Sequence, residues 1–327
     1  MVRDLRFLRP ATYPDGLLLW TAGPTDGANP TSAASPPAPL TLVALPVDRA
    51  ADPSQGMPLL SDHEVLAVSP DGERALFVHD AGGTDKALCE VPTNPAAGSG
   101  AAGAVECGGA PLATLLLSVR GGAVTGVAWS PDGQDLALSV LRSDHGFVAV
   151  WRRGDARLAW LSPGFDTDTL PTWSPDGSQL AFLRYRSTED KNGVARAYQQ
   201  GPAFSVFVAD VGLESARSES SRDTRTARQR RFLGEAIPVR EVFREWEFGY
   251  PGTGLNGYGT RPLLWAPSVG ARGFGGGAAV LVGCEASGFT HVVAVDPGGD
   301  VGSGTASSVD LTPLECEHAD WALGDGA

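Results

Sequence analysis

The side chains that could do chemistry in this chain are few and scattered. A thiol and a hydroxyl lie close together in Gly283-Cys284-Glu285-Ala286-Ser287-Gly288. A serine hydrolase needs Gly-x-Ser-x-Gly to lift its nucleophile onto a sharp turn, and this spacing does not supply it. Glu315 and Glu317 flank Cys316. Two apart on a strand, these carboxylates share a face; they could line a channel, although a solvated strand is the plainer expectation. Glu241, Glu245 and Glu247 stand in Arg240-Glu241-Val242-Phe243-Arg244-Glu245-Trp246-Glu247-Phe248, where interleaved signs predict internal ion pairing. His63, His79, His145, His291 and His318 are spread along the chain and read as surface or core-edge groups. There is no His-Glu-x-x-His, no Gly-x-x-x-x-Gly-Lys and no dinucleotide fingerprint. The sequence therefore names no catalytic residue, no metal ligand and no cofactor.

Cysteines and charge narrow the setting. None of Cys89, Cys107, Cys284 and Cys316 forms a close Cys-x-x-Cys pair, which argues against structural zinc. Met1 to Leu8 is too short and too charged for a signal peptide, and no run of about 18 apolar residues could span a membrane. A cytoplasmic location with free buried thiols is the default expectation. The alternative for Cys89 and Cys107, which flank a Gly/Ala-rich loop, is a disulfide. A net charge of −13 excludes nucleic acid as a general partner. The local exception, Arg222 to Arg231, follows a Ser/Glu-rich stretch and reads as a solvated insertion.

What would have to position any such group is a repeat. Val68-Ser69-Pro70-Asp71-Gly72, Trp129-Ser130-Pro131-Asp132-Gly133 and Trp173-Ser174-Pro175-Asp176-Gly177 are copies of one phrase, each followed by an apolar run such as Gln179-Leu180-Ala181-Phe182-Leu183. Residues before the phrase alternate like a strand, Pro presets one turn dihedral, Asp bonds back to the backbone, and Gly accepts a positive φ. The phrase predicts a tight hairpin. A degenerate copy, Tyr13-Pro14-Asp15-Gly16, begins the chain; Leu264-Trp265-Ala266-Pro267 and Trp321-Ala322-Leu323-Gly324-Asp325-Gly326 extend the count to about six units. Pro14, Pro70, Pro131 and Pro175 are 56, 61 and 44 residues apart. Between phrases lie second hairpin strands, Gly146 to Trp151, Phe204 to Asp210 and Thr290 to Asp296. Two hairpins per unit give the four-stranded blade of an all-β propeller. The 42 glycines and 25 prolines suit its many turns. The expected organisation is one propeller domain over 1–327, with disordered insertions near 23–40, 92–111, 214–231, 268–277 and 297–308.

The Trp-Ser-Pro-Asp-Gly-x-x-Leu-Ala-Phe phrase resembles propeller repeats of the TolB type. Leu170 to Arg184 is followed by Phe204 to Asp210, then Arg261-Pro262-Leu263-Leu264-Trp265, Gly288-Phe289-Thr290-His291-Val292 and Leu311-Thr312-Pro313-Leu314-Glu315-Cys316-Glu317-His318. That order is similar to the N-terminal propeller of prolyl oligopeptidase-type serine peptidases, the dipeptidyl peptidase IV group in particular. The resemblance implies a non-catalytic propeller that limits access to an active site carried by a separate hydrolase domain. No substrate-binding glutamate pair of that group can be placed here, so no such role transfers. The partner expected is a peptide, a protein, or a hydrolase domain in cis; a free-standing interaction scaffold is the alternative. The copy at Trp321 reaches its turn with only Ala327 after it. An unpaired edge would result. Either N-terminal strands close the ring, or the sequence is part of a longer product in which Gly-x-Ser-x-Gly follows; the second is the expectation.

Overall fold

A computed structural model describes residues 2–8, 16–22, 40–46, 57–61, 64–82, 85–93, 105–110, 112–142, 145–153, 157–185, 188–189, 195–196, 204–212, 236–245, 263–266, 277–284 and 291–311. The chain divides into two compact units, Met1–Val124 and Thr125–Ala327. The described residues are nearly all strand, and among them no helix is long and apolar enough to cross a membrane.

The first sheet is β1 (Val2–Leu8), β2 (Gly16–Ala22), β3 (Leu40–Pro46) and β4 (Met57–Ser61), antiparallel in that order. The second is β5 (Glu64–Val68), β6 (Arg74–Gly82), β7 (Asp85–Pro92) and β8 (Thr114–Val119). The third is β9 (Ala123–Trp129), β10 (Asp135–Leu141), β11 (Gly146–Arg152) and β12 (Arg157–Leu161). In the fourth, β13 (Thr167–Trp173) and β14 (Gln179–Tyr185) are followed by a short hairpin, β15 (Thr188–Glu189) with β16 (Ala195–Arg196). Then comes β17 (Phe204–Asp210). The chain next visits the third sheet as β18 (Ala236–Ile237), parallel to β12, before returning as β19 (Val239–Glu245). The last sheet is β20 (Leu263–Ala266), β21 (Ala279–Cys284), β22 (His291–Val295) and β23 (Ser308–Asp310). The meander β-a, β-b, β-c, β-d is thus repeated five times among the described residues, as the two-hairpin unit predicts. A single parallel bridge, Gly146 to Thr167, joins the third and fourth sheets into a nine-stranded one.

The repeated phrase builds the same turn three times. Ser69, Ser130 and Ser174 each donate N–H to the carbonyl five residues on, at 2.9 Å, and Gly72, Gly133 and Gly177 donate back to the serine carbonyl at 2.8, 2.9 and 2.9 Å. The serine hydroxyls accept the amides of Arg74, Asp135 and Gln179 at 3.0, 2.9 and 2.9 Å. Each hydroxyl donates to the aspartate two residues later, Asp71, Asp132 or Asp176. The three carboxylates also accept the amides of Glu73, Gln134 and Ser178 at 3.0 Å. The glycines lie at φ 74°, 68° and 72°, a conformation that costs a Cβ-bearing residue strain. Of the degenerate first copy, Gly16 opens β2, while Pro14 and Asp15 lie outside the described residues.

Packing between sheets of the second unit follows strand alternation. Leu180 and Phe182 face the third sheet with Ala137, Val148, Val150, Ala159 and Leu161. Ala181 and Leu183 face the last sheet with Leu263, Trp265, Val280 and Val282. Middle strands are therefore buried on both faces, which is why they read as continuous apolar runs. Two tryptophans of the second unit, Trp173 and Trp265, each tie one sheet to the one before it. Trp173 Nε1 donates to the Ala128 carbonyl at 3.0 Å, and Trp265 Nε1 donates to the Thr172 carbonyl at 2.9 Å. In each case the acceptor is the residue just before the previous tryptophan.

Three expectations, one about thiols and two about insertions, are corrected. Cys89 and Cys107 are joined in a disulfide, their Cα atoms 6.0 Å apart, and are not free thiols. Within 92–111, residues 105–110 form a 3₁₀ turn (Val105–Cys107) and a short packed segment, because Cys107 and Ala110 fill the apolar face of β6 and β7. Within 297–308 the chain forms ordered turns: Asp296 and Asp300 accept the amides of Gly298 and Gly302, both at 2.8 Å, and Val301 N–H bonds to the Glu241 carbonyl at 2.7 Å. Residues 23–39, 214–231 and 268–276 lie outside the described residues.

Two measurements check this account. Ser130→Ala removes a buried hydroxyl that bridges Asp132 and the Asp135 amide, and lowers unfolding stability by about 1–3 kcal/mol in denaturant titration. Trp173→Phe leaves the Ala128 carbonyl without its indole donor; a loss of about 1–3 kcal/mol is expected by the same measurement, whereas an exposed-site control stays within about 0.5 kcal/mol.

Candidate functional site

Polar side chains converge at the start of β13. The β12–β13 connection, Ser162-Pro163-Gly164-Phe165-Asp166, is short and begins with Ser162 at φ 42°. Asp168 in β13 and Arg184 in β14 stand opposite each other in register. Arg184 Nε donates to Asp168 Oδ1 at 2.6 Å, Nη2 donates to Oδ2 at 2.8 Å, and Nη2 also donates to the Ser162 carbonyl at 3.0 Å. The guanidinium lies 4.5 Å from the centre of the Phe207 ring and 5.7 Å from that of Phe182. Asp168 is only 3% exposed. Burial pushes its carboxyl up to about 6, against the pull of Arg184; burial opposes the charge of Arg184 too, but its bonds to Asp168 outweigh that and leave it raised.

This arrangement is a clamp. All the strong donors of Arg184 named here are directed at Asp168 and Ser162, and the carboxylate is held bidentately, so the pair positions backbone and offers no proton acceptor to a substrate. What it positions is apolar. Leu170 sits in a bulge where the β13–β14 register shifts between Thr169 and Thr172; its φ is 54° and its side chain is 38% exposed. Phe165, in the loop tied down through Ser162, is 76% exposed. A leucine held at positive φ is strained, and bulges re-aim side chains.

Other clusters are accounted for by packing. Arg244 pairs with Glu241, which also accepts the Ser205 hydroxyl, as the interleaved charges predict; Arg240 pairs with Asp210, and Gln179 Nε2 reaches Asp210 Oδ1 at 2.8 Å. Glu247 lies outside the described residues. Cys284 stands directly across from His291, with its Sγ 3.8 Å from Glu245 Oε2, and His291 Nδ1 is 3.1 Å from Asp310 Oδ2. Cys284 is buried and packs in the core cluster with Val280, Val282 and Leu263. Among the described residues no three His, Cys, Asp or Glu side chains are grouped to hold a metal.

The structure separates the residues singled out by sequence. Pro70, Asp71 and Gly72 belong to one hairpin of the first unit; Trp129, Pro131, Asp132 and Gly133, and Trp173, Pro175, Asp176 and Gly177, form adjacent hairpins of the second. A Cβ on Gly177 would lie 3.5 Å from Pro131 Cδ, so these two turns touch. Glu315 and Glu317 lie outside the described residues. Asp168 and Arg184 were not anticipated, because nothing local marks a pair 16 residues apart. The one signal available was an arginine closing an otherwise apolar strand.

Arg184→Met would leave the Asp168 carboxylate buried among apolar groups. A loss of about 3–5 kcal/mol is expected at neutral pH. Without Arg184 the Asp168 carboxyl rises further above its unfolded value, so stability is full only below the unfolded value and is lost progressively as pH climbs from there to the raised one. Asp168→Asn combined with Arg184→Met should recover much of the loss and remove this pH dependence in denaturant titrations at pH 5 and pH 8.

No known family profile matches the chain, and no curated protein matches it. Among solved structures it is similar to apo prolyl oligopeptidase B from Galerina marginata, with 11% identity and a TM-score of 0.52, covering 96% of this chain and 38% of that one. The same enzyme bound to a 35mer hydrolysis and macrocyclization substrate gives 12% identity and a TM-score of 0.51, covering 96% and 37%. TolB from Acinetobacter baumannii gives 14% identity and a TM-score of 0.41, covering 84% and 49%. The chain spans less than half the length of each of these structures. With its repeated four-stranded sheets, the likeness to prolyl oligopeptidase B establishes an all-β propeller fold resembling the propeller of that peptidase family.

Proposed function

We propose that this chain is the non-catalytic propeller portion of a prolyl oligopeptidase-like serine peptidase, controlling which peptides reach a hydrolase domain. The observation that carries the reading is the fold match extending over 96% of this chain but only 38% of the peptidase. The order of motifs from Leu170 to His318 supports it. In this reading the first strands of the blades face the passage of a substrate peptide, and β13 presents Leu170 to it, backed by the Asp168–Arg184 clamp. The hydrolase domain supplies the nucleophile, either in the same polypeptide or as a bound partner.

The test uses the native gene product. It is captured from its own cells with an antibody to this chain and treated with a fluorophosphonate probe, which labels activated serines. The expected result is a labelled polypeptide that is either about twice this chain's 33.9 kDa or held stoichiometrically with it. An unlabelled product of 33.9 kDa, free of any labelled partner, overturns the proposal.

A further inference from the structure

We infer that the Cys89–Cys107 bond is a structural staple and that this chain folds in an oxidising compartment. The bond joins β7, a middle strand of the second sheet, to the 3₁₀ turn Val105–Cys107 across a separation of 18 residues. Cys89 and Cys107 are both 0% exposed. Behind the bond, Cys107, Ala110 and Ala113 cover the face made by Ala75, Phe77, Ala87, Cys89 and Val91. Gly108 presses against His79: a Cβ there would come within 2.7 Å of the imidazole, and its φ is 69°.

Among the described residues, the other contacts that hold this segment are this packing and a few local bonds. Its backbone bonds are local, Gly108 to Val105, Ala110 to Cys107 and Ala113 to Ala110. A single 3₁₀ turn is not stable alone, and Val105 points to solvent at 85% exposure. Ordering 105–110 costs backbone entropy, and the segment itself buries only Cys107 and Ala110 to set against it. The covalent link supplies the difference by shortening the loop that must be closed. A reducing cytosol keeps thiols reduced, which would release the segment and uncover Phe77. Closure removes two protons and two electrons from Cys89 and Cys107. A small-molecule or protein disulfide takes them through a mixed disulfide and leaves as two thiols. Once closed, the buried sulfurs are shielded from thiolate attack. This reading differs from the cytoplasmic location expected from sequence.

The native protein, acid-quenched from its own cells, is alkylated in denaturant without reductant, digested and mass-analysed. Cys89 and Cys107 are expected as one cross-linked, unalkylated species; alkyl groups on both overturn the inference. In purified protein, reduction is expected to lower the melting temperature by roughly 5–10 °C. The Cys89→Ala, Cys107→Ala double variant should melt at the reduced value and ignore reductant, while Cys284→Ala keeps the full response. Should the double variant fail to fold, the reductant series on the unaltered chain gives the same reading. An unchanged melting temperature on full reduction also overturns it.

Discussion

Each blade of the Thr125–Ala327 unit hides apolar side chains on both faces of its middle strands, and a sheet of that kind has no stable existence in water by itself. In the fourth sheet, Leu180 and Phe182 need the third, while Ala181 and Leu183 need the last. Hydrophobic contact is non-directional and would tolerate sliding. Register between sheets is fixed by directional bonds: the indoles of Trp173 and Trp265, each donating to the carbonyl that precedes the tryptophan one blade earlier. In the third and fourth sheets, position within the sheet is fixed by the Ser/Asp locks that close the first hairpin. The apolar faces supply the driving force, and a handful of polar bonds choose among the packings it permits.

That division explains what could be read directly from the residues. The hairpin turns were legible because their chemistry is local: Ser130, Asp132, Gly133 and Asp135 lie within six positions, and the bonds that close the turn run among residues 130–135. Strand identity followed from alternation and from the apolar runs that double burial demands. The pairing of Arg244 with Glu241 was legible for the same local reason. The Asp168–Arg184 clamp was not, since its partners meet only after β13 and β14 have paired. Nor was the packing of 105–110, where Gly and Ala give no signal of order until Cys107 is bonded to Cys89. The expected turn-like disorder of 297–308 failed differently: Asp296 and Asp300 each cap their own amide turn, and the Glu241 carbonyl holds the second turn in place.

The clamp and the bulge belong together physically. A leucine at φ 54° raises the energy of the folded chain, and strain of this sort persists only where surrounding contacts over-determine the backbone. Those contacts are a bidentate guanidinium stacked on Phe207, a Ser162 carbonyl held by the same cation, and the Gly146 amide bonded to the Asp166 carbonyl at 3.1 Å. The segment that exposes Phe165 and Leu170 is thus tied down through Ser162, Asp166 and Asp168.

The detour of β18 carries a consequence of its own. After β17 the chain leaves its sheet, pairs Ala236 and Ile237 with Trp160 and Leu161 of β12, buries Ile237 there, and only then returns to complete its own outer edge as β19. Peeling β19 outward drags on the stitch at β12, and fraying β12 loosens the thread that leads into β19. Two neighbouring sheets that a simple repeat would let melt one after the other are in this way sewn into a single cooperative block.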